Sequence, residues 1–135
     1  MEPGLVDLVW QRAQSRCEYC QLPQTYSRLP FEIDHIIACK HGGQTRPSNL
    51  ALSCFYCNSF KGSNISGLDP RGRALTGLFH PRRHKWRRHF RWDGPILVGR
   101  TPVGRTTVAV LLINLDLRVA HRQELIDGGV FLPPG

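Results

Sequence analysis

The sequence predicts an α+β fold whose core is a strand, a loop, a second strand and a helix. The first strand is the segment FEIDHIIA, which is rich in the β-branched and aromatic residues that strands favour, and the second is LALS. The segment CFYCNSFKG is predicted to be the helix, since it ends at Gly62, a residue type common just after a helix. Two C-x-x-C pairs flank this unit, and 33 residues separate them.

The cysteine pairs predict a structural zinc site. Four thiolates, from Cys17, Cys20, Cys54 and Cys57, can surround Zn²⁺ tetrahedrally at about 2.3 Å and leave no position open for water. The alternative is a pair of redox-active motifs, but these are expected within a thioredoxin-like βαβ unit, which the sequence lacks. The fifth cysteine, Cys39, is expected to be a small buried hydrophobic residue without a chemical role.

The length of the chain fits one domain in three parts. The chain has 135 residues, of which 41% are hydrophobic, so a modest core is possible. We expect an N-terminal helix in residues 1–16, the zinc-closed core in residues 17–62, and a basic C-terminal extension in residues 63–135 that packs on the same domain. The sequence has no apolar run of roughly 18 residues and no signal-peptide pattern, so a cytoplasmic protein is expected.

The extension is predicted to contain a hairpin and two helices. Residues 63–81 are rich in glycine and proline and are expected to be irregular. The segment RHFRWDGPILVG is predicted to be two strands joined by a turn. One helix is predicted from Pro102 and another from Asp116. The β-branched residues in 106–110 leave a strand as the alternative to the first of these helices.

The charge of the chain predicts a polyanionic partner. Lys and Arg number 18 against 10 Asp and Glu, and the segment RRHKWRRHFR contains no carboxylate. Nucleic acid is the commonest partner for such a segment, and the alternative is a basic face that only aids solubility. A second metal site at His80, His84 and His89 is disfavoured against a basic, DNA-facing or solvated role. The cations predicted to contact DNA are Lys61, Arg82, Arg83, Lys85, Arg87, Arg88 and Arg91.

Several short motifs occur in a fixed order along residues 17–62, namely CEYC, DHI, GG, NLALSC and CN followed by KG. Together they resemble the HNH endonuclease family, whose core is the ββα-metal fold. At the third signature position this chain has Asn58 instead of histidine, a variant that the family commonly shows. The segment from His89 to Asn114 is similar to the C-terminal part of some small bacterial HNH proteins. The resemblance implies a divalent-metal-dependent endonuclease that acts on DNA.

The resemblance also implies the roles of individual residues. Asp34 and the amide oxygen of Asn58 would be hard ligands for Mg²⁺ or Mn²⁺ and would leave room for the scissile phosphate. His35 would activate water, because imidazole exchanges a proton near neutral pH. Asn49 would brace the loop that carries His35 through a backbone hydrogen bond. Lys61 could neutralise a phosphate, although a solvated position at the end of the helix is the favoured interpretation.

The implied reaction is hydrolysis of a DNA phosphodiester bond that leaves 5′-phosphate and 3′-hydroxyl ends. Since neighbours on a regular strand point to opposite faces, Asp34 and His35 should reach one phosphate only where the strand twists or breaks. The alternative function is a zinc-stabilised nucleic-acid-binding module without chemistry, which does not account for Asp34, His35 and Asn58 occurring together. We expect a monomer or weak dimer, associated with the nucleoid when bound to DNA, with no membrane partner and no small-molecule cofactor.

Overall fold

Residues 1–131, which the computed structural model describes, form two compact units. Unit 1 comprises Met1–Ile65 and His80–His84, and unit 2 comprises Ser66–Phe79 and the chain from Lys85 onward. Residues 132–135, the end of the predicted C-terminal extension, lie outside the described residues. The packing of that extension on the core stays a prediction.

Unit 1 contains the predicted strand–loop–strand–helix order. Strands β1 (Glu32–His35) and β2 (Leu50–Ser53) pair antiparallel, and α2 (Phe55–Lys61) follows β2 directly. Helix α1 (Pro3–Arg12) precedes them. The α+β fold class with a ββα core is therefore confirmed. Single turns of 3-10 helix lie at Gln24–Tyr26, Cys39–His41 and Pro47–Asn49.

The core of unit 1 is built on β2, all of whose residues are buried. Helix α1 packs against this strand, with Val9 buried and the Arg12 guanidinium donating to the backbone oxygen of Leu50. A ten-residue helix is marginal in water by itself, so this packing is what stabilises α1.

The loop after β1 is fixed by the side chain of Asn49. Its Oδ1 accepts the Ile37 amide at 2.8 Å, and its Nδ2 donates to the carbonyl oxygens of Ile37 at 3.0 Å and Gln44 at 2.9 Å. Gly43 packs closely against the loop backbone that Asn49 holds. A Cβ atom at Gly43 would lie 1.7 Å from the Ile37 carbonyl oxygen. The loop therefore has room for glycine alone at this position.

Unit 2 begins with a hairpin that the sequence did not predict. Residues 63–81 were expected to be irregular, and this is wrong, because β3 (Ser66–Leu68) and β4 (Leu75–Gly77) pair antiparallel within them. Gly67 lies in β3, and a Cβ at this position would approach Val110 Cγ2 of α4 to 2.6 Å. Gly67 is therefore a glycine that close packing requires, but from the sequence alone it cannot be distinguished from a loop glycine.

The rest of unit 2 follows the predicted order more closely. Helix α3 (Trp86–His89) precedes the paired strands β5 (Phe90–Asp93) and β6 (Ile96–Gly99), so the first predicted strand begins later than expected. The predicted helices are α4 (Pro102–Val110) and α5 (Asp116–Asp127), which excludes the alternative strand in residues 106–110. No helix within residues 1–131 is both long and apolar enough to cross a bilayer.

Two arginines of α5 are structural. Arg118 is buried and donates to the Leu111 oxygen at 2.8 Å, while Arg122 donates to the Ile113 oxygen at 2.9 Å and the Pro95 oxygen at 2.7 Å. Both guanidinium groups therefore satisfy buried backbone carbonyls.

We expect Gly43→Ala to destabilise unit 1 by roughly 1–3 kcal/mol, since the added methyl group overpacks against backbone that Asn49 holds in place. Urea unfolding of the variant measures this change. Gly72→Ala is the matched control, because a Cβ at Gly72 meets nothing within 4 Å. The control should be neutral or slightly stabilising. Equal stability of the two variants would contradict the proposed tight fit at Gly43.

Candidate functional site

The four paired cysteines form a cluster suited to a metal ion. The Sγ atoms of Cys17, Cys20, Cys54 and Cys57 are buried and lie within 4.8 Å of one another. Those of Cys20 and Cys54 are 3.7 Å apart, which matches the edge of about 3.8 Å of a tetrahedron with Zn–S bonds of about 2.3 Å. Within residues 1–131 no other group of three or more such ligand atoms occurs, so His80, His84 and His89 do not form one.

Backbone amides of the cluster donate hydrogen bonds to its sulfur atoms. The amides of Cys20 and Cys57 donate to the Sγ atoms of Cys17 and Cys54, each at 3.4 Å. Burial raises the pKa of the Cys17 and Cys57 thiols. A bound cation would favour their thiolate forms. The expectation that Cys39 is buried is wrong: it is exposed, because it lies in the 3-10 turn after β1 and not on the strand.

The carboxylate of Asp34 lies at the centre of a buried polar network. The Tyr19 hydroxyl donates to its Oδ2 at 2.7 Å, and Lys61 Nζ lies 3.1 Å from Oδ2 and 3.2 Å from Oδ1. Burial raises the pKa of Asp34, and the charge of Lys61 and the Tyr19 hydrogen bond oppose this rise. Tyr19 was assigned no role from the sequence, although its position between Cys17 and Cys20 indicates a residue close to the cysteine cluster.

Lys61 does not occupy the position that the sequence suggested. Its side chain is 1% exposed, so the interpretation of a solvated lysine at the helix end is wrong. Besides its contact with Asp34, its Nζ donates to the backbone oxygen of His35 at 3.2 Å. The reason is that α2 packs on β1, which brings the end of the helix against the end of the strand.

His35 and Asp34 lie on an unbroken strand. Their register with Leu50 and Ala51 is continuous, so the strand does not break at the pair. The two side chains accordingly diverge: Asp34 points to Tyr19 and Lys61, whereas His35 Nε2 lies 2.8 Å from the hydroxyl oxygen of Thr45. Thr45 is a second residue that the sequence did not single out.

One open cleft of unit 1 nevertheless includes both residues. Asn58 also lines it, because it follows Cys57 directly in the middle of α2 and is only partly buried. Asn49 does not line the cleft, but its side chain hydrogen-bonds the backbone of Ile37 in the loop that follows β1. The cleft is lined by Ile33, Asp34, His35, Ala38, Cys39, Asn58, Gly62 and Ser63.

The cations of the basic segment differ in exposure. Arg82 is paired with Glu18, whose other carboxylate oxygen accepts the Leu52 amide at 2.8 Å, so the charge of Arg82 is already balanced. The remaining cations of the segment are exposed, namely Arg83, Lys85, Arg87, Arg88 and Arg91.

The expected DNA-facing or solvated role is wrong for two of the histidines. His80 is buried in unit 1, and burial, with a contribution from Arg83, lowers its pKa to about 4. His89 is buried in unit 2, where its Nδ1 lies 2.6 Å from the Thr101 hydroxyl oxygen. Both rings are therefore parts of the interior.

Comparison with known proteins gave one match. The family model described as HNH endonuclease matches residues 17–64, the segment that contains both cysteine pairs and the cleft residues Asp34, His35 and Asn58. No curated protein and no solved structure matched the chain. The match indicates a nuclease-type function for this segment. Residues 17–64 are thus similar to the HNH endonuclease family.

Proposed function

We propose that the protein is a divalent-metal-dependent endonuclease that hydrolyses DNA phosphodiester bonds and leaves 5′-phosphate and 3′-hydroxyl ends. The observation that carries this proposal is the cleft of unit 1. An acid, a histidine and an amide from β1 and α2 line it together, within the segment that matches the HNH endonuclease model.

Asp34 and Asn58 are the residues that would hold the catalytic ion. Both offer oxygen atoms, which suit Mg²⁺ and Mn²⁺, and both line the same open cleft. Two protein ligands leave coordination positions for water and for a phosphate oxygen. When bound, the ion supplies charge stabilisation for the phosphate and for the leaving 3′-oxygen.

His35 is the proposed general base. A hydrogen bond from its Nε2–H to the Thr45 hydroxyl would orient the ring and leave Nδ1 to accept a proton from water. Asn49 would keep this geometry, since it fixes the loop that begins two residues after His35. Its role is positioning and not proton transfer.

The cysteine cluster is proposed to hold a structural Zn²⁺. Four buried sulfur ligands saturate the ion, so no position remains for water or substrate. The exposed cations of the basic segment are proposed to grip the DNA backbone. Arg82 and Lys61 are less suited to this role, because Glu18 and Asp34 already balance their charges.

We expect His35→Ala to lower the cleavage rate by about 10²–10⁴-fold, the usual contribution of a general base. Plasmid nicking with Mg²⁺ or Mn²⁺, and with a chelator, measures the rate. His41→Ala is the matched control, since His41 is an exposed histidine of the same loop and should leave the rate unchanged. A near-normal rate for His35→Ala would remove His35 from the mechanism. An unaltered protein that binds DNA but never nicks it would instead be a binding module.

Cys57→Ser is expected to release zinc and to unfold unit 1. A structural zinc in a small domain supplies about 10 kcal/mol or more of apparent binding free energy, which is comparable to the stability of a whole domain. Elemental analysis and circular dichroism measure the two effects. Cys39→Ser is the control, because Cys39 lies outside the cluster and should retain both zinc and fold. A folded, zinc-free and active Cys57→Ser variant would show that the cluster is not a structural zinc site.

Replacing Arg87, Arg88 and Arg91 with alanine should weaken DNA binding at all sequences alike, since phosphate contacts carry no direct base information. Each lost contact should flatten the slope of log K against log salt by about one unit, so about one to three units are expected. Titrations of one duplex at several salt concentrations measure the slope, and Arg28→Ala is a control with one exposed cation removed elsewhere.

Single-turnover cleavage at saturating concentrations of the triple variant should change much less than its affinity. An unchanged salt slope would mean that the segment is only a solvated basic face. A collapsed rate at unchanged affinity would instead place these arginines in the chemistry.

A further inference from the structure

The two carboxylate oxygens of Asp34 have different numbers of polar contacts. A carboxylate offers about four lone-pair positions, two on each oxygen. Oδ2 accepts the Tyr19 hydroxyl at 2.7 Å and also lies 3.1 Å from Lys61 Nζ in an ion pair. Oδ1 accepts Lys61 Nζ at 3.2 Å, and no second donor within residues 1–131 reaches it. Oδ1 therefore has one close polar neighbour and Oδ2 has two, so Oδ1 is the oxygen that remains more available to an ion.

Lys61 is held firmly in this arrangement. Its ammonium donates to Asp34 Oδ1 and to the backbone oxygen of His35, and it lies within ion-pair distance of Asp34 Oδ2. The Lys61 side chain is 1% exposed. If it moved away, the buried Asp34 carboxylate would lose its cation and the His35 carbonyl would lose its hydrogen-bond donor. At 3.1 Å and 3.2 Å from the two oxygens, Nζ occupies the place that a bidentate metal ion would take.

We propose that Lys61 determines the metal specificity of the site: it confines Asp34 to monodentate coordination through Oδ1 and thereby favours Mg²⁺ and Mn²⁺ over Ca²⁺. This inference rests on the proposed function, in which Asp34 and Asn58 hold the catalytic ion. Tyr19 assists, because its hydroxyl keeps Oδ2 engaged.

The preference follows from the coordination chemistry of the ions. Mg²⁺ demands a nearly ideal octahedron, keeps several waters and is usually bound through one or two carboxylates. Ca²⁺ takes six to eight oxygen ligands at longer distances and readily accepts both oxygens of one carboxylate. A site whose carboxylate can offer one oxygen therefore loses a contact that Ca²⁺ would use and that Mg²⁺ does not need.

Titration calorimetry of the zinc-loaded protein with Mn²⁺ and with Ca²⁺ tests the role of Lys61. Lys61→Met removes a positive charge, so both affinities should rise. The ratio of Ca²⁺ to Mn²⁺ affinity should also rise, by roughly tenfold, as ligand number tunes calcium sites. Lys61→Arg should keep the normal ratio, because a guanidinium contacts both carboxylate oxygens. Lys40→Met is the charge control, since Lys40 is exposed in the same unit. An equal rise for both ions in Lys61→Met would overturn the proposal.

Lys61→Met leaves a buried carboxylate without its cation and can unfold unit 1. A crystal structure of the unaltered protein soaked with Mn²⁺ avoids this difficulty. An ion bonded to Oδ1 of Asp34 alone, with Lys61 in place, supports the proposal. An ion bonded to both oxygens overturns it and leaves the proposed nuclease function intact. The absence of any ion at Asp34 overturns both.

Discussion

The closure of the chain by four cysteine sulfurs is the constraint on which the site depends. It joins the start of the ββα unit to its end, and bringing such distant segments together costs conformational entropy that metal binding can offset. Two residues next to the cysteine pairs are thereby placed at or near the cleft. Tyr19 lies inside the first pair and reaches Asp34, and Asn58 directly follows the second pair and lines the cleft. The cysteine cluster therefore sets the position of residues that lie outside it.

The buried ion pair of Asp34 and Lys61 lies at that cleft, which Asp34 lines. Removing two charges from water costs several kcal/mol per ion, and apolar replacements of buried pairs are often neutral or stabilising. In unit 1 the Tyr19 hydroxyl donates to the Asp34 carboxylate, and the His35 carbonyl accepts from Lys61, so both members of the pair have a further hydrogen-bond partner. Such a network fixes the orientation of Asp34, which is what a metal ligand requires.

Burial decides which cations remain available for a polyanion. The composition counts 18 Lys and Arg, but the charges of Lys61 and Arg82 are balanced by carboxylates, and Arg118 and Arg122 donate to interior carbonyls. The cations from Arg83 to Arg91 stay exposed, in a segment without a carboxylate. The net charge of the chain suits a polyanionic partner, and the exposed cations of this segment are among those that burial leaves available to one.

The sequence by itself determined the cysteine cluster, the ββα order and the Asp34–His35 pair, because each depends on spacing or local composition. Tertiary structure decided the rest. Lys61 looks like a solvated residue at a helix end until β1, about 27 positions earlier, brings the Asp34 carboxylate against it. Gly67 looks like a loop residue until α4 packs on it. In both cases the deciding atom comes from a distant part of the chain, and only folding brings the two together.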